Sequence, residues 1–228
     1  MGLKSFKKGA YFDLWYVFCV PMSRRCLIFY LLEPIAIPKV GLVWEKIRSI
    51  LEAQKRKDLY YENHIRRACF YALAFGRDQG LSEKELRQLY LGTFFHDIGK
   101  VVIPAEIINK KGPLDLEERK IMRTHPIWGE KICLELGPLD EIASLVACHH
   151  ERPNGTGYPR GLKGDEIPAL ARILAIIEIF DALRSERSYK KPFSLEQSID
   201  ILHEGAAAGN LDQHVVSEFT KFCEKMSS

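Results

Sequence analysis

An imidazole and a carboxylate adjoin at His96-Asp97, and the cation of Lys100 follows three residues after the Asp, in Phe94-Phe95-His96-Asp97-Ile98-Gly99-Lys100. Placed at the mouth of an apolar helix, such a pair is costly to bury unless something binds it, and a divalent metal is the simplest partner. One His-Asp dipeptide is a weak signal, because most are surface accidents. The rest of the chain supplies more groups of the same kind. His149-His150 closes a helical pattern in which Ile142, Leu145 and Val146 continue to His149, so that imidazole lies on the buried stripe and His150 a quarter-turn around from it. Glu178 and Asp181 are the only charges from Ile173 to Leu183, a stretch apolar all round. An acid there must be paired, neutralised or metal-bound, although one of the two could simply bridge to a neighbouring helix. His125, before Pro126, sits where the chain changes direction, and His64 shares a helix face with Ala68 and Tyr71.

Imidazole and carboxylate are the ligands of non-haem iron, manganese or zinc, and a shared Asp suits a bridge between two ions. Two metals about 3.5–4 Å apart lower the pKa of a bridging water from about 16 toward neutrality, which makes a hydroxide able to attack phosphorus. Fixed cations then stabilise charge on the phosphate oxygens. Lys100 is one candidate, and Arg187 and Lys190, three residues apart just beyond the acidic helix, are others.

The elements that must position these groups read as helices. Amphipathic spacing predicts helices over 43–57, 60–75 and 83–95, the last opened by a capping box at Ser82 and stopped by Gly99. Beyond a loop at 104–112, the pattern predicts helices over 115–124, 128–136 and 139–150, with His125-Pro126 as an interruption between the first two. Four glycines in 155–164 predict irregular structure. Pro168 opens a helix over 169–184, Ser194 caps one to His203, and Asp212 caps the last, to about Met226. His203 and His214 lie in polar surroundings and read as surface residues. The fold class expected is all-α, with no strand.

Composition bounds the partners. The chain has 228 residues, 46% apolar and 28% charged, with a net charge of +3, so it is an ordinary globular sequence with no call for DNA or an anionic membrane. Its six cysteines lie far apart, which fits a reduced, cytoplasmic setting better than a disulfide framework. Residues 1–42 form an apolar extension of two runs, each too short for the roughly 20 residues of a transmembrane span. No small-residue cleavage site follows, and position 6 lacks the Ser or Thr of a myristoylation motif. A packing or dimerisation role, including a homodimer, is the favoured expectation for this extension, ahead of a membrane-lying segment. The remaining 43–228 form one domain.

The order of the motifs carries a resemblance. His96-Asp97-Ile98-Gly99-Lys100, Thr124-His125-Pro126, His149-His150-Glu151-Arg152, Gly155-Thr156-Gly157-Tyr158-Pro159 and Phe180-Asp181-Ala182-Leu183 together resemble the HD-GYP family, over roughly residues 43–225. The resemblance implies a helical HD-domain bundle with a GYP loop at Gly157, Tyr158 and Pro159. It implies a metal-dependent phosphodiesterase opening cyclic di-GMP to linear pGpG, and onward to GMP in many members. By position, His64, His96, Asp97 and Glu178 would hold one metal. Asp97 would bridge to a second, held by His125, His149 and His150. Asp97 and Lys100 would be catalytic, and Lys100, Arg187 and Lys190 would contact the substrate phosphates. The cofactor implied is two divalent ions, iron ahead of manganese.

Three residues depart from the family pattern. Glu178 stands where Asp is usual and is one methylene longer. Tyr60 stands where members with a third metal carry Glu, which leaves two metals. Asn154 stands where many members have Asp. Two alternatives stay open: a catalytically weak module docking a diguanylate cyclase or other signalling protein, and hydrolysis of another cyclic dinucleotide or nucleotide.

Overall fold

The structure, a computed structural model, describes residues 41–58, 61–185 and 191–227. Residues 1–40 of the N-terminal extension, Tyr60, Arg187 and Lys190 lie outside the described residues. Within them the chain is all-helical. The α-helices are α1 Leu42–Lys57, α2 Tyr61–Asp78, α3 Glu83–Phe95, α4 Ala105–Ile108, α5 Leu116–Met122, α6 His125–Leu136, α7 Ala143–Cys148, α8 Ala169–Arg184, α9 Leu195–Ala207 and α10 Gln213–Ser227. No strand forms among the described residues, and the one sheet-like contact is an isolated bridge between Asn154 and Lys163. No described helix is long and apolar enough to cross a membrane.

The expected caps are present. Ser82 and Glu85 close a reciprocal capping box on α3, and Ser194 and Gln197 do so on α9. Asp212 accepts from the Val215 amide at 3.0 Å where α10 begins. The apolar stretch 173–183 is the central helix: α8 packs against α2, α3, α7, α9 and α10. Its buried Leu174, Ile176, Ile177 and Phe180 join Phe75, Phe219 and Phe222 in one core cluster. A second cluster gathers Ile47, Leu51, Ile65, Leu91, Phe95, Ile98 and Val146. The third helix contributes to both, Leu89 to the first and Leu91 to the second, and so holds its C-terminal end between two packed layers.

Several boundaries differ from the sequence reading. Pro126 does not interrupt a helix; it occupies the first turn of α6, where its missing N–H is harmless. The pattern over 139–150 splits into a 3-10 turn, Asp140–Ile142, and α7, which ends before His149. The loop after Pro104 holds the short α4, and α9 runs past His203. Gly99 does not release the chain into a loop. Residues Ile98–Val102 form a 3-10 turn against the start of α6. A Cβ at Gly99 would collide with the His125 carbonyl oxygen and come within 2.5 Å of the Gly129 nitrogen. The glycine is there because two backbones approach too closely for any side chain.

That contact yields a prediction. Backbone cannot yield as a side-chain tip can, so Gly99→Ala is expected to destabilise the fold by about 3 kcal/mol, read by urea unfolding. An unchanged midpoint would show that the turn does not press on α6.

Candidate metal centre

Three histidines are aimed by the same device. His96 Nδ1 lies 2.7 Å from the Thr93 carbonyl, His125 Nδ1 2.7 Å from that of Met122, and His149 Nδ1 2.7 Å from that of Val146. Each partner is three residues back, the last free carbonyl of a helical turn, and a carbonyl accepts only from N–H. The proton is therefore assigned to Nδ1 and the lone pair to Nε2. His64 uses a side chain instead, with Nδ1 2.8 Å from Asp181 Oδ2. Such anchoring of one ring nitrogen is how metal-ligating imidazoles are oriented.

The freed Nε2 atoms converge. Ligand atoms of His64, His96, Asp97 and Glu178 all lie within 4.8 Å of one another, and those of His125, His149 and His150 form a second group by the same measure. Asp97 stands between the groups. Its Oδ2 is 3.1 Å from His96 Nε2, and its Oδ1 is 3.3 Å from His125 Nε2. Glu178 reaches the first group despite its extra methylene, with Oε1 2.6 Å from His96 Nε2 and 3.9 Å from His64 Nε2. The structure thus brings together every described residue that the sequence nominated as a metal ligand.

The donor set fits a cation at both places. His96 Nε2 is fully buried and makes no aligned hydrogen bond, yet it faces two carboxylate oxygens. In the second group His125 Nε2 and His149 Nε2 are 3.2 Å apart, and both carry lone pairs if the anchored tautomers hold. Acceptors pressed together without a donor repel, and a bound cation removes the conflict. The charge states agree. Burial holds His149 well below the ordinary imidazole range and lowers His125, and burial brings His150 down to about 3, so this trio is neutral and able to ligate. Burial would raise Asp97, but Lys100 and His96 outweigh it and keep the carboxylate ionised. Burial would likewise raise Glu178, and His96 overrides it. His96 is the exception, raised despite its burial because Asp97 and Glu178 face it, so that a proton on its Nε2 takes the place between two carboxylates that a cation would fill.

Further residues support the two groups, and Gln54 and Arg67 among them were not singled out by the sequence reading. Gln54, fully buried, donates to the Asp97 carbonyl at 2.7 Å. Asp181 is the acid of α8 that pairs with a neighbouring helix: Arg67 Nε donates to Oδ1 at 2.5 Å and Arg67 Nη2 to Oδ2 at 3.1 Å. Lys100 Nζ lies 2.6 Å from Asp97 Oδ2, so the ammonium already neutralises that carboxylate. Glu151 is 2% exposed and accepts from the amides of Arg160 at 2.7 Å and Leu162 at 3.0 Å, which closes the glycine-rich loop on itself. Inside that loop the Tyr158 ring stacks on His150 at 4.7 Å, and its amide donates to the His150 carbonyl. A Cβ on Gly157 would collide with the backbone of Glu151 and Arg152. Asn154 uses both ends of its amide, accepting from Thr156 and donating to Asn210 at 2.9 Å, where an Asp would lack the donor. Only the pairing of Arg67 with Asp181 carried a readable sign, an Arg one turn after His64 facing an acid in an apolar helix.

Loss of the Asp181 anchor frees the His64 ring. Asp181→Asn is expected to weaken binding of the first metal about 10- to 100-fold, read by titration of Mn2+ against a competing chelator. Equal affinity in both proteins would show that Asp181 serves only Arg67.

Comparison with known proteins agrees with this geometry. The family profile described as HD domain matches residues 49–215. A protein of Vibrio cholerae named 3'3'-cGAMP-specific phosphodiesterase 2 is 36% identical over 192 residues, covering 77% of this chain and 36% of that protein. A cyclic di-GMP phosphodiesterase response regulator of Xanthomonas campestris is 39% identical over 126 residues, 54% of this chain and 33% of its own. The chain spans about a third of the length of these curated relatives. Among solved structures, an HDG"Y"P protein from Bdellovibrio bacteriovorus aligns with a TM-score of 0.59 at 19% identity, over 72% of this chain and 52% of that one, a likeness of fold. With His96-Asp97 at the meeting point of both ligand groups, the chain belongs to the HD domain family.

Proposed function

We propose that this chain hydrolyses a cyclic dinucleotide, with cyclic di-GMP opened to pGpG as the first substrate to test and GMP as the onward product. The observation that carries the reading is the placement of Asp97, which turns one oxygen to each of two convergent ligand groups. His64, His96, Asp97 and Glu178 would hold one divalent ion, and Asp97, His125, His149 and His150 a second, iron ahead of manganese. Such ions, when bound, acidify a water and draw charge from phosphoryl oxygens. The chain's own part is to keep Asp97 and Glu178 ionised and to present the neutral imidazoles of His125, His149 and His150. Lys100, Arg187 and Lys190 are assigned to the substrate phosphates. Two relatives bear different substrate names, 3'3'-cGAMP and cyclic di-GMP, so both nucleotides belong in the assay. Cys69, Cys133, Cys148 and Cys223 are buried and unpaired, which supports a reducing, cytoplasmic setting.

The test is purification with and without oxygen, elemental analysis, and chromatography of the products. The expected result is about two iron or manganese ions per chain and linear product from cyclic di-GMP, with both lost in Asp97→Ala. Metal-loaded protein that leaves both cyclic dinucleotides intact would overturn the substrate, and protein that takes up no metal would overturn the metal centre and leave a docking module.

A further inference from the structure

A cyclic dinucleotide carries two phosphodiesters, and a metal centre can act on only one at a time. The second is an anion that has to be seated as well. Lys100 sits on Asp97, where it serves the phosphate at the metal centre, and Arg67 is committed to Asp181 and Ser185. Two arginines beside the second ligand group are not committed in this way. Arg152 follows His150 by two residues. Its guanidinium is half-buried and donates only to the carbonyl of its own neighbour, Glu151, at 3.1 Å. The Glu151 carboxylate is not free to answer it, being held by the amides of Arg160 and Leu162. Arg123, at the C-terminal end of α5, holds its guanidinium carbon 5.0 Å from the centre of the Tyr158 ring. Among the described residues neither arginine has a carboxylate at ion-pair distance.

The two cations share surroundings. Both act on the Tyr158 hydroxyl, and the field of Arg152 also reaches His150 and Glu178. Tyr158 itself lies flat against His150. A cation partly withdrawn from water without a counter-ion is unfavourable by itself, and it becomes favourable when an anion arrives. The planar fork of a guanidinium matches two oxygens of a phosphate, which the point charge of a lysine does not.

We propose that Arg152, with Arg123 at the rim, seats the phosphodiester of the substrate that is not being cleaved, on the Tyr158 side of the His125, His149 and His150 group. The inference rests on the cyclic dinucleotide reading and adds to it a binding role for two residues outside the metal-ligand set. It implies that ligands with two phosphates are held far better than ligands with one.

The experiment compares cyclic di-GMP with bis(p-nitrophenyl) phosphate, which carries a single phosphodiester, in metal-loaded wild type, Arg152→Gln, Arg152→Lys and Arg123→Ala. Metal content per chain is measured for each. Removing a charged hydrogen bond to phosphate is expected to raise KM for cyclic di-GMP about 10- to 100-fold in Arg152→Gln, well beyond any change with the small substrate. Arg152→Lys should recover part of this through its charge, and Arg123→Ala should show a smaller rise of the same selectivity. Equal losses on both substrates would overturn the inference, because Arg152 would then act at the scissile phosphate or on the site as a whole. Unchanged KM in Arg152→Gln would overturn it too. Wild type that cleaves bis(p-nitrophenyl) phosphate but neither cyclic dinucleotide would instead overturn the substrate reading on which it stands.

Discussion

The approach of the 98–102 turn to the start of α6 sets the geometry of everything around it. Asp97 belongs to the end of α3, and His125 to the first turn of a helix about thirty residues on. They meet because Gly99 lets the two backbones close to a separation that no side chain would permit. Gln54 ties the Asp97 carbonyl from a third direction, and Lys57 holds the Val101 and Ile103 carbonyls at 2.5 and 3.2 Å. A carboxylate fixed on its backbone side can turn its two oxygens to two different ligand groups. Packing thus settles the position of Asp97 before any ion is considered.

The second organising force is unfavourable. Three imidazoles spend their Nδ1 protons on carbonyls one turn back, and the lone pairs of His125 and His149 point inward with no donor to answer them. Those two lone pairs oppose each other at 3.2 Å. A protein interior seldom leaves buried polar atoms in that condition without a use for them. The conflict is held in place by helices packed on two apolar clusters, and it is the form that affinity for a cation takes before the cation binds.

The glycine-rich loop shows how an irregular segment becomes rigid. Glu151 closes it from within, Asn154 fastens it to the turn before α10, and Tyr158 lies on His150. Each link uses a backbone amide or an aromatic face in place of regular secondary structure. The loop therefore serves as a wall of the site, with Tyr158 laid against the second ligand group.

Residue types and order were enough to identify the class of chemistry. His64, His96, Asp97, His125, His149, His150 and Glu178 are legible as candidates because imidazoles and acids recur on apolar helical faces in the order of the HD-GYP motifs. The central place of α8 is legible for a similar reason, since a helix apolar on all sides has to be surrounded. Local signals also located Ser82, Ser194 and Asp212 as caps, because capping depends on neighbours within one turn. What the sequence could not determine depends on contacts between distant segments. Gly99 looks like a helix stop until the His125 carbonyl is seen against it, and Pro126 looks like a break until it is seen to open a helix. Residue type alone leaves Glu178 and Asp181 equivalent; the family resemblance points to Glu178, and the packing of α2 across α8 carries Asp181 to Arg67 and His64. Sequence carries periodicity and chemical type, whereas distance between segments far apart in the chain is decided by how their surfaces close on one another.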